Sequence, residues 1–234
     1  MGGESKSIFL PAIRTAKKGN ATVAVNPGSR QIRKDAATLK KALPYIDILM
    51  LNKTETKYLI YELVQLNPEL QQILDNGNGI YKDEHVPELL HERLKYEGIT
   101  FSLTQFFKII LDIGPKIAVV TNGAEGVYVA TKEYIYYFPG LPTNVVNTTG
   151  AGDAFNSCFV AILLKYNKDL MTALENNTIE RAIIFSALNS ASVVSFLDTN
   201  KGLLNQDELE IRASYLEPNL LQKFPLEKTS KIKK

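Results

Sequence analysis

The stretch "NTTGAGDAFNS" (Asn147–Ser157) sets two glycines and a carboxylate immediately ahead of an apolar run. Little side chain stands between the backbone of Gly150, Ala151 or Gly152 and anything approaching it. If the apolar run is a helix, its first amides lack intrahelical partners, and the positive end of its dipole falls on the same point. That arrangement suits a phosphoryl group in transfer. Asp153 stands at its edge, where it would repel a resting phosphate, so its natural task is to accept a proton from an attacking hydroxyl. A plain glycine-rich helix start, with Asp153 satisfying the first turn, accounts for the same residues without any chemistry.

Outward from this stretch, short β-rich runs alternate with helical ones, the pattern of a mostly parallel sheet covered by helices. Strands are expected in "ATVAVNPG" (Ala21–Gly28), "IDILMLN" (Ile46–Asn52) and "KIAVVTNG" (Lys116–Gly123). The second is apolar on both faces, as a central parallel strand should be. The alternation of "GVYVATKEYIYYFPG" predicts a hairpin at a more exposed edge. Helical periodicity marks "SRQIRKDAATLKKAL", "TETKYLIYELVQL", Ala154–Lys165 and "IERAIIFSALNSASVVSF". One domain over 1–234 is expected, with a polar helical insertion at 67–99 and a basic tail at 225–234. The "DNGNG" of Asp75–Gly79 reads as a turn between helices, since Gly77 occupies what would be a calcium-ligand position. His85 and His91, the only histidines, are too far out of phase to share a helix face.

Composition excludes several classes. Twenty-seven basic residues against 25 acidic ones give a net charge of +2, so no global field points to nucleic acid. The lone Cys158 rules out an internal disulfide, fits a reducing compartment and reads as core packing. No apolar run is long enough to span a membrane, and the start lacks a signal-peptide pattern. "MGGESK" begins like a myristoylation site but carries Lys6 where Ser or Thr is needed. A cytoplasmic protein is expected.

Four stretches together resemble one family. "VNTTGAGDAF" (Val146–Phe155) is similar to the second signature of the PfkB, or ribokinase-like, family of carbohydrate and nucleoside kinases. "NPGSRQI" (Asn26–Ile32) resembles the strand end preceding its nucleotide domain, and "LNKTE" (Leu51–Glu55) its Asn-x-x-Glu motif. "VVTNGAEGVYV" (Val119–Val129) resembles its Thr-x-Gly-x-x-Gly nucleotide loop. The likeness runs from about Phe9 to Leu204, interrupted mainly by the 67–99 insertion. It implies a three-layer α/β/α, Rossmann-like sheet and ATP-dependent transfer of the γ-phosphate to a hydroxymethyl group of a sugar or nucleoside. Asp153 would be the base, and Gly150, Ala151 and Gly152 the anion hole. Asn52 and Glu55 would lie near the ATP phosphates, Glu55 acting through Mg²⁺ and its water shell. Thr121, Gly123 and Gly126 would shape the nucleotide loop, and Asn189 would lie near the adenine.

The departures are as informative. Most of the family opens the signature with an aspartate, and in several relatives that acid, with the threonine two places on (here Thr149), helps bind a monovalent cation. Asn147 keeps an oxygen ligand there but loses the charge, so only weak activation by K⁺ is expected. Relatives also carry an N-terminal region with a first glycine signature, most sugar-binding residues and a β-sheet lid. This chain opens on "MGGESKSIFLPAIRTAKKGN", which resembles the helix just before "NPGSRQ". An N-terminally truncated fold without the β-lid is therefore expected, with an apolar edge near "ATVAV" prone to self-association or to pairing with the missing part. The alternative to a kinase is a catalytically incompetent remnant acting as a nucleotide-binding or interaction module. A Rossmann oxidoreductase is disfavoured, because the glycine loop follows a late strand and no ribose-binding acid sits at the required spacing.

Overall fold

The computed structural model describes residues 5–76, 80–81, 86–165, 167, 169–175, 178–199 and 201–226. The chain packs as two compact units. The first comprises Met1–Val120, Ala130–Ile135 and Pro225–Lys234; the second comprises Thr121–Val129 and Tyr136–Phe224. Nothing in the sequence pattern marks this division.

The first unit opens with helix α1 (Ser5–Lys18), strand β1 (Ala24–Val25) and helices α2 (Ser29–Lys34) and α3 (Ala36–Ala42). Strand β2 (Ile48–Asn52) and helix α4 (Lys53–Leu66) follow, then α5 (Glu69–Asn76), α6 (Glu88–His91), β3 (Arg93–Tyr96), β4 (Ile99–Ser102) and α7 (Leu103–Ile113). Strand β5 (Ile117–Thr121) leads to β6 (Val127–Ala130) and β7 (Tyr134–Phe138). The second unit continues with helices α8 (Ala151–Lys165), α9 (Leu170–Glu175), α10 (Thr178–Val193) and α11 (Gln206–Ser214), and strand β8 (Gln222–Pro225) comes last. The six-stranded sheet has the order β1-β2-β5-β6-β7-β8, and β1 pairs with β2 in parallel.

The apolar run of the central strand fills the core as its pattern requires. Ile48, Leu49, Met50 and Leu51 of β2 are all buried, and so are Ile117 to Val120 of β5. Helix α4 buries Leu59, Ile60, Leu63 and Val64, the one-turn spacing of a single helical face. Burying each such side chain contributes roughly 1.5–3 kcal/mol.

Three local expectations need correction. The hairpin β6–β7 is not an exposed edge: Val127–Ala130 is buried throughout, and β8 takes the edge beside β7. The single helix expected in "SRQIRKDAATLKKAL" is two, broken at Asp35, whose backbone leaves helical geometry (φ −139°). The 67–99 segment is not wholly helical, because Arg93–Tyr96 pairs antiparallel with Ile99–Ser102 and buries Leu94, Ile99 and Phe101. Its alternating side chains match a half-buried strand, a pattern concealed by the polar residues around it. Gly77–Gly79 of "DNGNG", His85 and the basic tail beyond Leu226 lie outside the described residues. Among the described residues, no helix is long and apolar enough to cross a membrane.

One buried acid ties the first unit together. Asp47, only 5% exposed, accepts a hydrogen bond from Lys17 Nζ (2.8 Å) and one from the backbone amide of Val23 (2.9 Å). Lys116 Nζ lies 3.4 Å away, and the Asp47 carbonyl accepts the amides of Lys116 and Ile117. One residue thus joins α1, the entry to β1, β2 and the start of β5. Burial pushes its carboxyl up, but the Lys17 bond, the Val23 amide and the two lysine charges outweigh burial and hold it below the ordinary carboxylate value. A depressed folded-state pKa stabilises the fold above the unfolded-state pKa, and that contribution is lost as pH falls through the folded value. Asp47→Asn should therefore cost about 1–3 kcal/mol at pH 7 and flatten the acid-side loss of stability. Urea unfolding of both proteins at pH 7 and at lower pH measures this, and equal stability at pH 7 would show that the junction carries no weight.

Candidate functional site

Helix α8 begins at Ala151, three residues ahead of the Ala154–Lys165 run marked in the sequence, and its first turn is held from below. Gly150 sits at φ +86°, a left-handed conformation that lets the chain turn sharply into the helix. Gly150 accepts the Ala154 amide (2.8 Å) and Thr148 accepts that of Ala151 (3.3 Å). Gly152 and Asp153 are exposed, whereas Ala154 and Phe155 are buried. From α10, Asn189 Nδ2 donates to the Ala154 carbonyl (3.1 Å) and Ser190 Oγ to that of Ala151 (3.0 Å). The other end of Asn189 accepts the Leu204 amide (2.9 Å), so this buried amide links α8, α10 and the approach to α11. A methyl group added at Gly152 would meet nothing within 4 Å, whereas one at Gly150 would stand 3.0 Å from Thr199 Cβ. Open space lies over one glycine and a side-chain wall beside the other.

The turn before the helix has its own fastenings. The amides of Val146 and Asn147 both donate to Val194 O (2.8 and 3.1 Å). Asn147 Oδ1 accepts the Thr149 amide (3.0 Å), while its Nδ2 donates to Leu197 O (3.0 Å).

The second glycine loop, also in the second unit, leaves β5 at Thr121. A 3₁₀ turn over Gly123–Glu125 follows, with Asn122 N donating to Gly126 O (2.8 Å) and Tyr137 Oη to Glu125 O (2.9 Å). Gly126 adopts φ +112°, and a Cβ there would fall 2.2 Å from Phe138 O. Asn122, between the residues singled out from the sequence, has a buried Nδ2 with no hydrogen-bond partner among the described residues. Such an orphaned donor suits an acceptor brought by a ligand. Its neighbours in "TNGAEG" were the available signal.

In the first unit, Asn52 and Glu55 form a reciprocal helix cap on α4. Glu55 N donates to Asn52 Oδ1 (2.9 Å) and Asn52 N to Glu55 Oε2 (3.0 Å). Glu55 Oε1 lies at the hydrogen-bonding limit from Ser29 Oγ (3.5 Å), a neighbour that sequence spacing did not suggest. Burial pushes the Glu55 carboxyl above its ordinary value, despite the bonds from Asn52 and Ser29. No ion pair to Glu55 is present among the described residues. A buried acid without a basic partner among the described residues fits a hydrated Mg²⁺ held through its waters. Among the described residues, no group of three or more His, Cys, Asp or Glu is placed to hold a metal directly. His91 is occupied near Val86 O (Nδ1, 3.2 Å). Cys158 is half-buried in α8, and burial pushes its thiol up despite a bond with Ser186.

Part of the chain is similar to known proteins. Residues 100–200 match the model of the pfkB family carbohydrate kinases. Ribokinase of Staphylococcus aureus (strain COL) is 26% identical over 167 residues, covering 71% of this chain and 42% of that protein. The structure of Arabidopsis thaliana ribokinase complexed with ribose and ATP is 18% identical, with a TM-score of 0.60, covering 91% of this chain and 53% of that one. A double-mutant fructokinase of Vibrio cholerae O395, with fructose, ADP and a potassium ion bound, is 20% identical, with a TM-score of 0.62 and coverage of 90% and 56%. At these identities the structural likeness is one of fold. The chain spans about half the length of these solved structures and 42% of the Staphylococcus protein.

Two substitutions test the geometry without any ligand. Gly126→Ala should destabilise the protein by about 3 kcal/mol, because its backbone region is nearly closed to other residues and the methyl meets Phe138 O. Chemical denaturation would expose an error if stability were unchanged. Glu55→Gln acts the other way. A carboxyl with a raised folded-state pKa loses folding free energy when it ionises, and glutamine still accepts the Asn52 amide. The melting temperature at pH 7 should hold or rise; a clear fall would mean that the charge itself supports the cap.

Proposed function

We propose that this chain, whose residues 100–200 match the model of the pfkB family carbohydrate kinases, carries out ATP-dependent phosphorylation of a hydroxymethyl group on a sugar, with a nucleoside as the other acceptor class. The observation that carries this reading is the start of α8, where Gly150 turns the chain at positive φ into a helix whose next residues, Gly152 and Asp153, are exposed.

In this reading the first amides of α8 and the positive end of its dipole stabilise the charge that develops on the phosphoryl oxygens. Asp153 accepts the proton of the acceptor hydroxyl as that oxygen bonds to the γ-phosphorus and the bond to the leaving ADP breaks. The exposed carboxylate on the first turn of α8 can be reached by an acceptor without displacing core residues. The loop from Thr121 through Gly123 to Gly126 shapes the nucleotide site, where Asn122 Nδ2 supplies a donor awaiting an acceptor. Glu55, with Asn52 as its cap, would hold the water shell of Mg²⁺, which neutralises phosphate charge when bound. Asn189 acts on the nucleotide side through the framework, since its amide is spent on Ala154 and Leu204. Thr149 offers its backbone amide to Asn147 and leaves its hydroxyl to the site. The reading includes a cytoplasmic location. It also assigns the free side of β1 and the adjoining groove of about 460 Å³, lined by Phe9, Val25 and Arg30 among others, to pairing with an added strand.

Asp153→Asn should lower phosphoryl transfer by roughly 10²–10⁴ while leaving ATP affinity within a few-fold. ADP release over a panel of sugars and nucleosides, with calorimetric ATP binding, reads both quantities. Near-normal turnover in the variant would remove Asp153 from the role of base. In the same assay Glu55→Gln should need more Mg²⁺, because one charged partner of the ion's water shell is lost; an unchanged Mg²⁺ requirement would return Glu55 to a cap alone.

A further inference from the structure

We propose that Asn147 is a positioning residue for the anion-binding turn, its side-chain amide acting as a strap across Gly150; the inference rests on reading the start of α8 as a phosphoryl site. The two ends of the amide reach the two sides of that glycine. Oδ1 takes the Thr149 amide, which sets the turn one residue ahead of Gly150. Nδ2 donates to Leu197 O, two residues before Thr199, whose Cβ walls the space at Gly150. Backbone bonds from Val146 and Asn147 to Val194 anchor the approach, and the side chain carries that anchorage forward to the glycine.

The chemistry demands an amide. One partner is an N–H and the other a carbonyl oxygen, so the bridging group must accept at one end and donate at the other. An aspartate of the same shape would still accept the Thr149 amide. Its second oxygen, however, would stand about 3 Å from Leu197 O with no proton between them. Two such oxygens repel unless a cation lodges between them. With asparagine the strap closes by itself, and the turn keeps its shape without a monovalent ion. Alanine removes both ends and leaves nothing for a cation to restore.

The test compares the unaltered chain with Asn147→Asp and Asn147→Ala. Calorimetric ADP binding is measured in tetramethylammonium and in potassium buffers, alongside hydrogen exchange of residues 148–152. The unaltered chain should bind within about twofold in the two buffers. Asn147→Asp should lose about tenfold, near one hydrogen bond's worth, in tetramethylammonium and regain most of it in potassium. Asn147→Ala should lose about tenfold in both, and its 148–152 amides should exchange faster while those of α10 stay protected. A potassium requirement in the unaltered chain, or full affinity of Asn147→Asp without potassium, overturns the proposal. If the unaltered chain binds no ADP, the kinase reading fails and exchange alone judges the strap: faster exchange in Asn147→Ala sustains it and unchanged exchange overturns it.

Discussion

The first turn of α8 is held through its carbonyl oxygens, and the organisation of the second unit follows from that constraint. Asn189 and Ser190 of α10 donate to Ala154 O and Ala151 O, groups that a helix can share between two donors. Among the described residues the amides of Ala151, Gly152 and Asp153 meet no side-chain acceptor, which is the condition for offering them to an anion. Had a serine or aspartate capped them, the turn would be more stable by about 1 kcal/mol and closed to a ligand. The apolar seam beneath makes this affordable: Phe155 and Phe159 stack at 6.0 Å, and α10 buries Ile179, Ala182 and Ile183.

The first unit solves a different problem with a different device. Strands β1 and β2 and the start of β5 need a common starting line, and a buried carboxylate supplies it by accepting from a backbone amide and from Lys17 and by pairing with the Lys116 charge. A buried charge left unpaired would be destabilising, whereas this one is balanced on every side. Glu55 shows the contrast. It has helix-cap partners but no cation among the described residues, so burial dominates its carboxyl. Two acids of similar burial thus have opposite electrostatic characters. Its partners hold Asp47 in the charged form, whereas burial favours the neutral form of Glu55.

Much of this was legible residue by residue. Strands β2 and β5 showed because unbroken apolar runs must be buried on both faces, and α4 and α10 because their apolar positions recur at helical spacing. The glycines of the two loops showed because positive φ and close approach exclude other residues: Gly150 and Gly126 meet those conditions. Strand β3 and the break at Asp35 did not show. A four-residue strand in a polar segment, or a helix interrupted for a single residue, leaves too short a pattern to separate from its neighbours. The hairpin β6–β7 was placed at an edge because alternation suggests one wet face, but β8, from the far end of the chain, covers its flank.

What the sequence determined by itself was local and compositional: where chain must be bare, where it must be buried, and which carboxylate stands beside a helix start. Those follow from steric and solvent demands that each residue carries wherever it is placed. The partners of Asn147, Asn189 and Asp47 lay beyond that reach. Leu197 is 50 residues from Asn147, Ala154 is 35 from Asn189, and Lys17 is 30 from Asp47. An amide or a carboxylate can bond to many groups with nearly equal free energy, so its own identity does not select one. Only packing the elements brings a single carbonyl or amine within reach, and tertiary structure therefore decides which polar side chain becomes a strap, a clasp or a site.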